Sequence, residues 1–426
     1  MATPFWYNAA LAIVKPLYQW RIKKRATDLA QYQQECLERF GPFQPVKNRQ
    51  AIWFHAVSVG ETNAAQPLIE HYLKNGHAVL VTNTTKTGQA RAKSLFLKPP
   101  FEALFQAVYL PADQKDLVAE FYQKYQPKLL ALVETELWPN LIDQAKNFQV
   151  PCILINARLS EKSAKAYAKV PSLTRPMLQK LDHLLAQDLA TQQRFIELGL
   201  AKQSVNVVGS IKFDISAPLL HLQHAQELMC EWQLKQRKII TLASTHAPEE
   251  QNLLSALMPY LKQRPELLCI VVPRHPERFD DVFTITKNLN LNTQRRSLSE
   301  KIQPDTQAYL ADSMGELWLW YALSQTCFVG GSLNEPGGGH NILEPMALNV
   351  PTIIGKNYFN FQSIVDEFLQ ADAVKVGQNA EQVVQLLLQC IDEPEFAQQL
   401  SQHAATVMQK NMGSLQKHLA VIDHYL

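Results

Sequence analysis

The stretch WFHAVSVGETNAAQPLIEHYL, residues 53–73, sets the grammar of the whole chain. A short apolar run, AIWFHAVS, gives way to Gly60, and Glu61 opens a segment whose apolar positions include Ala64, Ala65, Leu68 and Ile69. That spacing predicts an amphipathic helix, and the unbroken run before it a strand buried on both faces. A strand, a glycine turn and a helix make one step of a parallel crossover fold.

The step repeats along the chain. HAVLVTN, FQAVYLP, KLLALVET, PCILINAR, HLLAQD and VNVVGS each end in polar residues or glycine, with helix-like stretches between most of them. After Ser216 a polar helical stretch, HLQHAQELMCEWQLKQRK, precedes a second series: KIITLAS, ELLCIVVPRH, QAYLADS, TCFVGG, VPTIIG and DAVKVG. Two successive α/β units of about 160 to 200 residues each are expected. Their bounds are an N-terminal segment 1–45, a first unit 46–216 and a second 217–426, with the last helix free to pack back on the first unit. Ligands of open parallel sheets sit beyond the carboxyl ends of the strands, so two facing sheets are expected to enclose a cleft lined by the polar motifs.

Composition agrees with a folded enzyme. Of 426 residues, 46% are hydrophobic, and no long low-complexity tract interrupts them, which excludes extensive disorder. The six cysteines, Cys36, Cys152, Cys230, Cys269, Cys327 and Cys390, lie far apart with no CxxC pair. They are expected as buried thiols of a reducing compartment, not as disulfides or zinc ligands.

The formal net charge of +2 hides an asymmetry, because every charge before Asp28 is positive: Lys15, Arg21, Lys23, Lys24 and Arg25. Lys15 and Pro16 interrupt the apolar run, which falls short of the roughly 20 residues that a spanning helix needs. No small-residue cleavage site follows it. Phe5, Trp6, Tyr7 and Trp20 beside a basic cluster suit a segment lying in the anionic face of a bilayer, and a helix docked on the next domain is the alternative.

Polar motifs fall at the strand ends. Glu61 has two readings, an acid that complements the helix dipole and a general base. Glu134 and Glu136 in ALVETELWPN flank Thr135 and suggest hydrogen bonding to a polyol or a cation. Neither a DxD triplet nor HExxH occurs, so a tightly held catalytic metal is not expected. Lys212 in VGSIKFD, and Arg274, His275 and Arg278 in VPRHPERF, follow apolar runs in the manner of an anion site. SMGELW (313–318) and the loop around Gly337, Gly338 and Gly339 offer two helix starts whose N–H groups suit a phosphate, with the glycines bringing the loop backbone close to it. There is no GxxxxGK[ST] and no well-placed GxGxxG, which favours a nucleotide-sugar donor over ATP or NAD.

Together HAVSVGE, VETELWPN, INARLS, VGSIKFD, VPRHPERF, SMGELW, GGGHNILEPMALNVPTIIGKNYFNF and the basic, apolar N-terminus resemble the bacterial 3-deoxy-D-manno-octulosonic acid (Kdo) transferases, the lipid A Kdo transferase family. The match runs in order from the N-terminal segment to about Phe361. The resemblance implies a GT-B glycosyltransferase with two Rossmann-like domains at the cytoplasmic face of the bacterial inner membrane. Its reaction would move Kdo from CMP-Kdo to the lipid A precursor (lipid IVA) in lipopolysaccharide biosynthesis, with inversion and without a metal or other cofactor. On this resemblance Glu61 stands at the family's catalytic base, and Glu134 and Lys212 at positions assigned to transition-state stabilisation. Pro273, Arg274, Gly315, Glu316, Leu317, Asn341, Ile342, Leu343 and Glu344 match the CMP-binding segments, Glu344 being suited to a ribose hydroxyl pair. Ser58, Gly60, His275, Gly338, Gly339 and His340 are further candidate substrate contacts, and Arg158 is one for the Kdo carboxylate or a lipid phosphate. NEPGGGHN carries one glycine more than the commoner pattern, which leaves the places of Gly337 to Gly339 unassigned but not that of HNILE. Rival readings are a nucleotide-sugar 2-epimerase, another nucleotide-sugar transferase and a non-catalytic lipid-binding scaffold.

Overall fold

A computed structural model describes residues 3–43 and 45–426. The chain divides into two compact units, the first made of Met1–Asp214 with Met412–Leu426 and the second of Ile215–Asn411.

Unit 1 is a seven-stranded parallel sheet. Its strands are β1 Ile52–His55, β2 Val79–Asn83, β3 Phe105–Tyr109, β4 Leu129–Val133, β5 Cys152–Ala157, β6 His183–Ala186 and β7 Val205–Val207. They lie in the order β3-β2-β1-β4-β5-β6-β7, so the order reverses between β1 and β4. Because successive side chains point to opposite faces, each apolar run feeds two cores. Trp53, Leu80, Leu130, Leu132 and Leu154 enter one. Ile52, Phe54, Val79, Val81, Ala131 and Ile153 enter the other.

Unit 2 repeats the plan with β8 Lys238–Thr245, β9 Leu267–Pro273, β10 Thr293–Arg295, β11 Ala308–Leu310, β12 Thr326–Val329, β13 Thr352–Gly355 and β14 Lys375–Gly377. The order is β10-β11-β9-β8-β12-β13-β14, all pairs parallel, and it reverses between β8 and β12. Ile240, Leu242 and Val271 fill one face, and Ile239, Leu268 and Ile270 the other. The three-residue edge strand β10, of sequence TQR, has no apolar run and was not expected from the sequence.

The last helix, Ser414–His424, belongs to unit 1. Leu419 and Ile422 join the core of Phe54 and Ile69, and Tyr72 donates to Asp423 at 2.8 Å. The buried His418 accepts the Asn156 N–H through Nε2 at 2.9 Å. Asp214 caps the start of this helix, accepting from the N–H groups of Gly413 and Leu415.

The N-terminal helix, Phe5–Arg25, continues through Pro16 and is also part of unit 1. It buries Ile22, and Tyr7 donates to the buried Asp113 at 2.8 Å. Trp6, Ile13, Leu17 and Trp20 recur at helical spacing and remain exposed. Among the described residues no helix is long and apolar enough to cross a membrane. All six cysteines are free, but the expectation of uniform burial fails at two: Cys230 is exposed and Cys36 half-buried, each on a helix surface instead of a strand.

Candidate active site

In unit 1 the acids gather where the strand order reverses. After β1, the helix Val59–Lys74 starts with Ser58 as its cap, and Glu61 occupies the third helical position. The two side chains cap the helix start together: Ser58 Oγ accepts the Glu61 N–H at 3.4 Å and donates to Glu61 Oε1 at 3.0 Å. The other carboxylate oxygen accepts the Val57 N–H at 2.5 Å. Burial pushes the Glu61 carboxyl up, Glu136 and Glu134 push it further, and it reaches about 8 against the opposing Val57 and Ser58 hydrogen bonds. The expected glycine turn is corrected: Gly60 lies inside the first helical turn, and a Cβ there would meet only Ser58 Oγ at 3.7 Å.

Glu134 directly follows β4 with φ +63°, a left-handed backbone that costs a glutamate on the order of 1 kcal/mol. Its N–H is held by the Ile155 carbonyl at 3.0 Å, and its Oε1 pairs with Lys212 Nζ at 2.9 Å. Lys212 rides on a 3₁₀ turn, Ile211–Phe213, whose first N–H donates to Asn156 Oδ1 at 3.1 Å. Glu136 accepts from the Trp138 indole at 3.0 Å, and burial raises its carboxyl. The exposed Arg158 is tied to this loop by its carbonyl, which accepts from the Thr135 hydroxyl. Glu61, Glu134, Glu136, Lys212 and Arg158 are thus carried by the ends of β1, β4, β5 and the turn after β7.

In unit 2 the expected CMP-binding residues lie after β9, before the helix Leu317–Leu323, and at the start of Leu343–Ala347. Pro273 ends β9, and the exposed Arg274 is fixed by its N–H to the Thr245 carbonyl at 3.0 Å. Arg278 is not a free cation, since its guanidinium pairs with the buried Glu250 at 2.6 Å. His275, also exposed, lies 3.7 Å from Glu277. Gly315 has φ +86° with open space around it, while Glu316 is clamped by Arg296 at 2.7 and 3.0 Å. Asn341 donates to Glu344 at 3.2 Å and accepts the Leu343 N–H at 3.1 Å. Burial raises the Glu344 carboxyl, opposed by the Asn341 amide and by Arg274. Ile342 and Leu343 are buried and serve packing.

A Cβ on Gly337 would come within 2.5 Å of the Asn334 carbonyl, and one on Gly338 within 2.2 Å of the Asn360 amide. The Gly338 and Gly339 N–H groups donate to the carbonyls of Asn357 (3.2 Å) and Gly331 (2.7 Å). The side chains are stripped away so that this loop can pack on 357–360. The Leu343 N–H, one of the phosphate donors expected from the sequence, is likewise spent on Asn341.

Two residues the sequence did not single out organise this end of unit 2. Glu249 is buried and accepts four backbone N–H groups, from His246, Gly331, Ser332 and Leu333, at 2.8 to 2.9 Å. His246 meets His340 Nε2 to Nε2 at 2.7 Å. The signal was present in KIITLASTHAPEE, a polar run directly behind a buried strand like the other site motifs. Among the described residues no group of three or more His, Cys, Asp or Glu side chains is placed to hold a metal ion.

Residues 34–215 match the family profile of 3-deoxy-D-manno-octulosonic-acid transferase (kdotransferase), and residues 230–407 that of the glycosyl transferases group 1. The chain is 35% identical to 3-deoxy-D-manno-octulosonic acid transferase of Haemophilus influenzae, over 99% of this chain and 98% of the relative. Two solved structures share the fold. A glycosyltransferase from Rickettsia africae has a TM-score of 0.52 at 16% identity, covering 89% of this chain and 99% of its own. UDP-GlcNAc 2-epimerase from Neisseria meningitidis also has a TM-score of 0.52, at 14% identity, covering 86% and 100%.

Proposed function

The chain belongs to the 3-deoxy-D-manno-octulosonic acid (Kdo) transferases, glycosyltransferases of GT-B fold, and from that premise we propose how it acts. The donor is CMP-Kdo, the acceptor is the lipid A precursor (lipid IVA), and the anomeric carbon is inverted. Family membership carries the substrates of this reading, and the observation that carries its chemistry is the Glu61 carboxyl at the reversal of the first sheet, raised to about 8. A base works best when its pKa lies close to the working pH, which is where burial and the two neighbouring acids bring it. Glu61 takes the proton of the attacking hydroxyl. Glu134, neutralised by Lys212, acts on the sugar side without adding a free negative charge. Arg274 meets the phosphate, and Glu344 with Asn341 the ribose hydroxyls.

No metal is needed in this scheme, because the charge of the leaving phosphate is met by Arg274 and its neighbours. The fold alone would equally suit an epimerase, and family membership decides between the two. The test is incubation with CMP-Kdo and lipid IVA in excess EDTA. CMP and Kdo-bearing lipid are expected in equal amounts; CMP without modified lipid, or no turnover until Mg²⁺ is restored, would refute the scheme.

The acceptor also implies a place of work, the cytoplasmic face of the inner membrane. The exposed stripe Trp6, Ile13, Leu17 and Trp20 ends in Lys23, Lys24 and Arg25, which suits an interfacial helix on anionic lipid. Replacing Lys23 and Lys24 by Gln should weaken binding to anionic vesicles by about 1 kcal/mol per charge, an effect that high salt erases. Equal co-sedimentation of both forms at low salt would move the membrane contact elsewhere.

A further inference from the structure

We propose that His246 and His340 form one proton-carrying pair at the donor's phosphate, taking up a proton when the anion binds and returning it to the phosphate as the sugar leaves. The inference rests on the CMP-Kdo reading above and adds a catalytic group to it.

The geometry is specific. His246 follows β8 and His340 ends the glycine loop after β12, so the pair stands at the reversal of the second sheet. The rings lie end to end and nearly coplanar, with centroids 5.0 Å apart, planes 11° from parallel and Nε2 atoms 2.7 Å apart. At that distance one proton must lie between them, so two neutral rings carry opposite tautomers, and a further proton enters at the vacant Nδ1, with its charge spread over both rings. Gly331, with φ +68°, makes room for the arrangement: a Cβ there would come within 2.8 Å of the His340 ring.

The surroundings hold the pair neutral until an anion arrives. Facing it are Arg274, His275 and Arg278 from the segment after β9, and Glu249 and Glu250 from the helix after β8. The His275 ring lies edge-on to His246 with centroids 5.0 Å apart. Glu250 is occupied by Arg278, and Glu249 spends both oxygens on backbone N–H groups. Burial, His246 and Arg274 push His340 down to about 4, and burial with His275 lowers His246. Both carboxylates are thus already engaged, and a phosphodiester beside Arg274 would add a negative charge that favours the charged form of the pair.

In the reaction the acceptor oxygen forms a bond to the anomeric carbon and its proton passes to Glu61. The bond from that carbon to the phosphate oxygen breaks, and its electron pair stays on the phosphate. A proton on an outward-facing Nδ1 of the cationic histidine pair then moves to the phosphate, which leaves as part of CMP. Glu61 ends one proton richer and the pair one poorer, and exchange with water restores both.

The methyl ester of CMP is a suitable probe, since a phosphodiester does not itself titrate between pH 5.5 and 8. With the full-length protein, its affinity should fall as pH rises, by up to about tenfold per pH unit. Calorimetry in two buffers of different ionisation enthalpy should show uptake approaching one proton per ester bound. His246→Gln and His340→Gln should each abolish the uptake and flatten the profile, whereas His275→Gln should keep both. Uptake that survives in both glutamine variants, or is lost only in His275→Gln, overturns the proposal. Ester binding by the wild type without uptake overturns it while leaving the donor assignment standing, and that measurement needs no variant to fold. No ester binding at all would bring down the donor assignment and the pair together.

Discussion

The two sheets reverse their strand order in the same way and put opposite chemistry there. At the end of β1 and β4 stand three carboxylates, Glu61, Glu134 and Glu136; at the end of β8 and β12 stand two imidazoles beside Arg274. Burial raises Glu61 and Glu136 and lowers both imidazoles, taking Glu61 to about 8 and His340 to about 4. The topology therefore fixes a place for chemistry and leaves its sign to the side chains. The supports differ as well. In unit 1 the site is held by a left-handed Glu134 and an ion pair to Lys212, whereas in unit 2 one carboxylate, Glu249, stitches the helix after β8 to the loop after β12.

If the two ends do separate work, their variants separate too. The largest effect is expected from Glu61→Gln, which keeps shape and removes basicity: turnover should fall by at least the roughly 10²-fold of a lost general base, with CMP affinity unchanged. The same variant should change stability. A carboxyl raised from 4.5 to about 8 binds its proton more tightly in the folded state. Wild-type stability should therefore be full below about 4.5 and decline through 8 relative to Glu61→Gln. Parallel melting temperatures of the two proteins over that range would mean that Glu61 is not buried as described.

Arg274→Ala should show the converse, weakening CMP by about 1.5–3 kcal/mol in calorimetric titration. Arg274→Lys should restore only part of it if the contact is bidentate. Normal CMP binding by Arg274→Ala together with weakened binding by Glu61→Gln would break the division between the ends. The smallest effect sharpens it. Glu136→Gln removes the second-largest influence raising Glu61, so the rising limb of kcat/KM should move to lower pH. At pH 7 this would be a gain of roughly threefold. An unmoved limb would leave burial and Glu134 as the causes.

Much of this was legible in the sequence, for reasons that particular residues make plain. The buried parallel strands announce themselves because IWFH, LLALV and LLCIVV must be apolar on both faces, while β10 escapes because an edge strand of Thr, Gln and Arg needs no such run. Glu61, Glu134 and Lys212 were visible as polar residues where apolar runs stop. Glu249 was hidden because an acid in a first helical turn has an ordinary explanation, and only the fold shows that three of its four partners lie more than 80 residues away. The glycine loop shows a close approach that its sequence does not name, to the chain's own segment 357–360.

The return of the last helix to unit 1 bears on how the protein is made. A chain growing from the ribosome completes Ile215–Asn411 before Met412–Leu426 has emerged, so unit 2 has all its parts while unit 1 waits for Leu419, Ile422 and His418. Until then Asn156 lacks its imidazole partner, and Asp214 has no helix to cap. Lys212 lies on the turn between those two anchors. Glu61, the base of the proposed scheme, thus belongs to a unit that residues 412–426 help to complete, and a ribosome that stops short of them would leave Ile215–Asn411 whole and the unit of Glu61 unfinished.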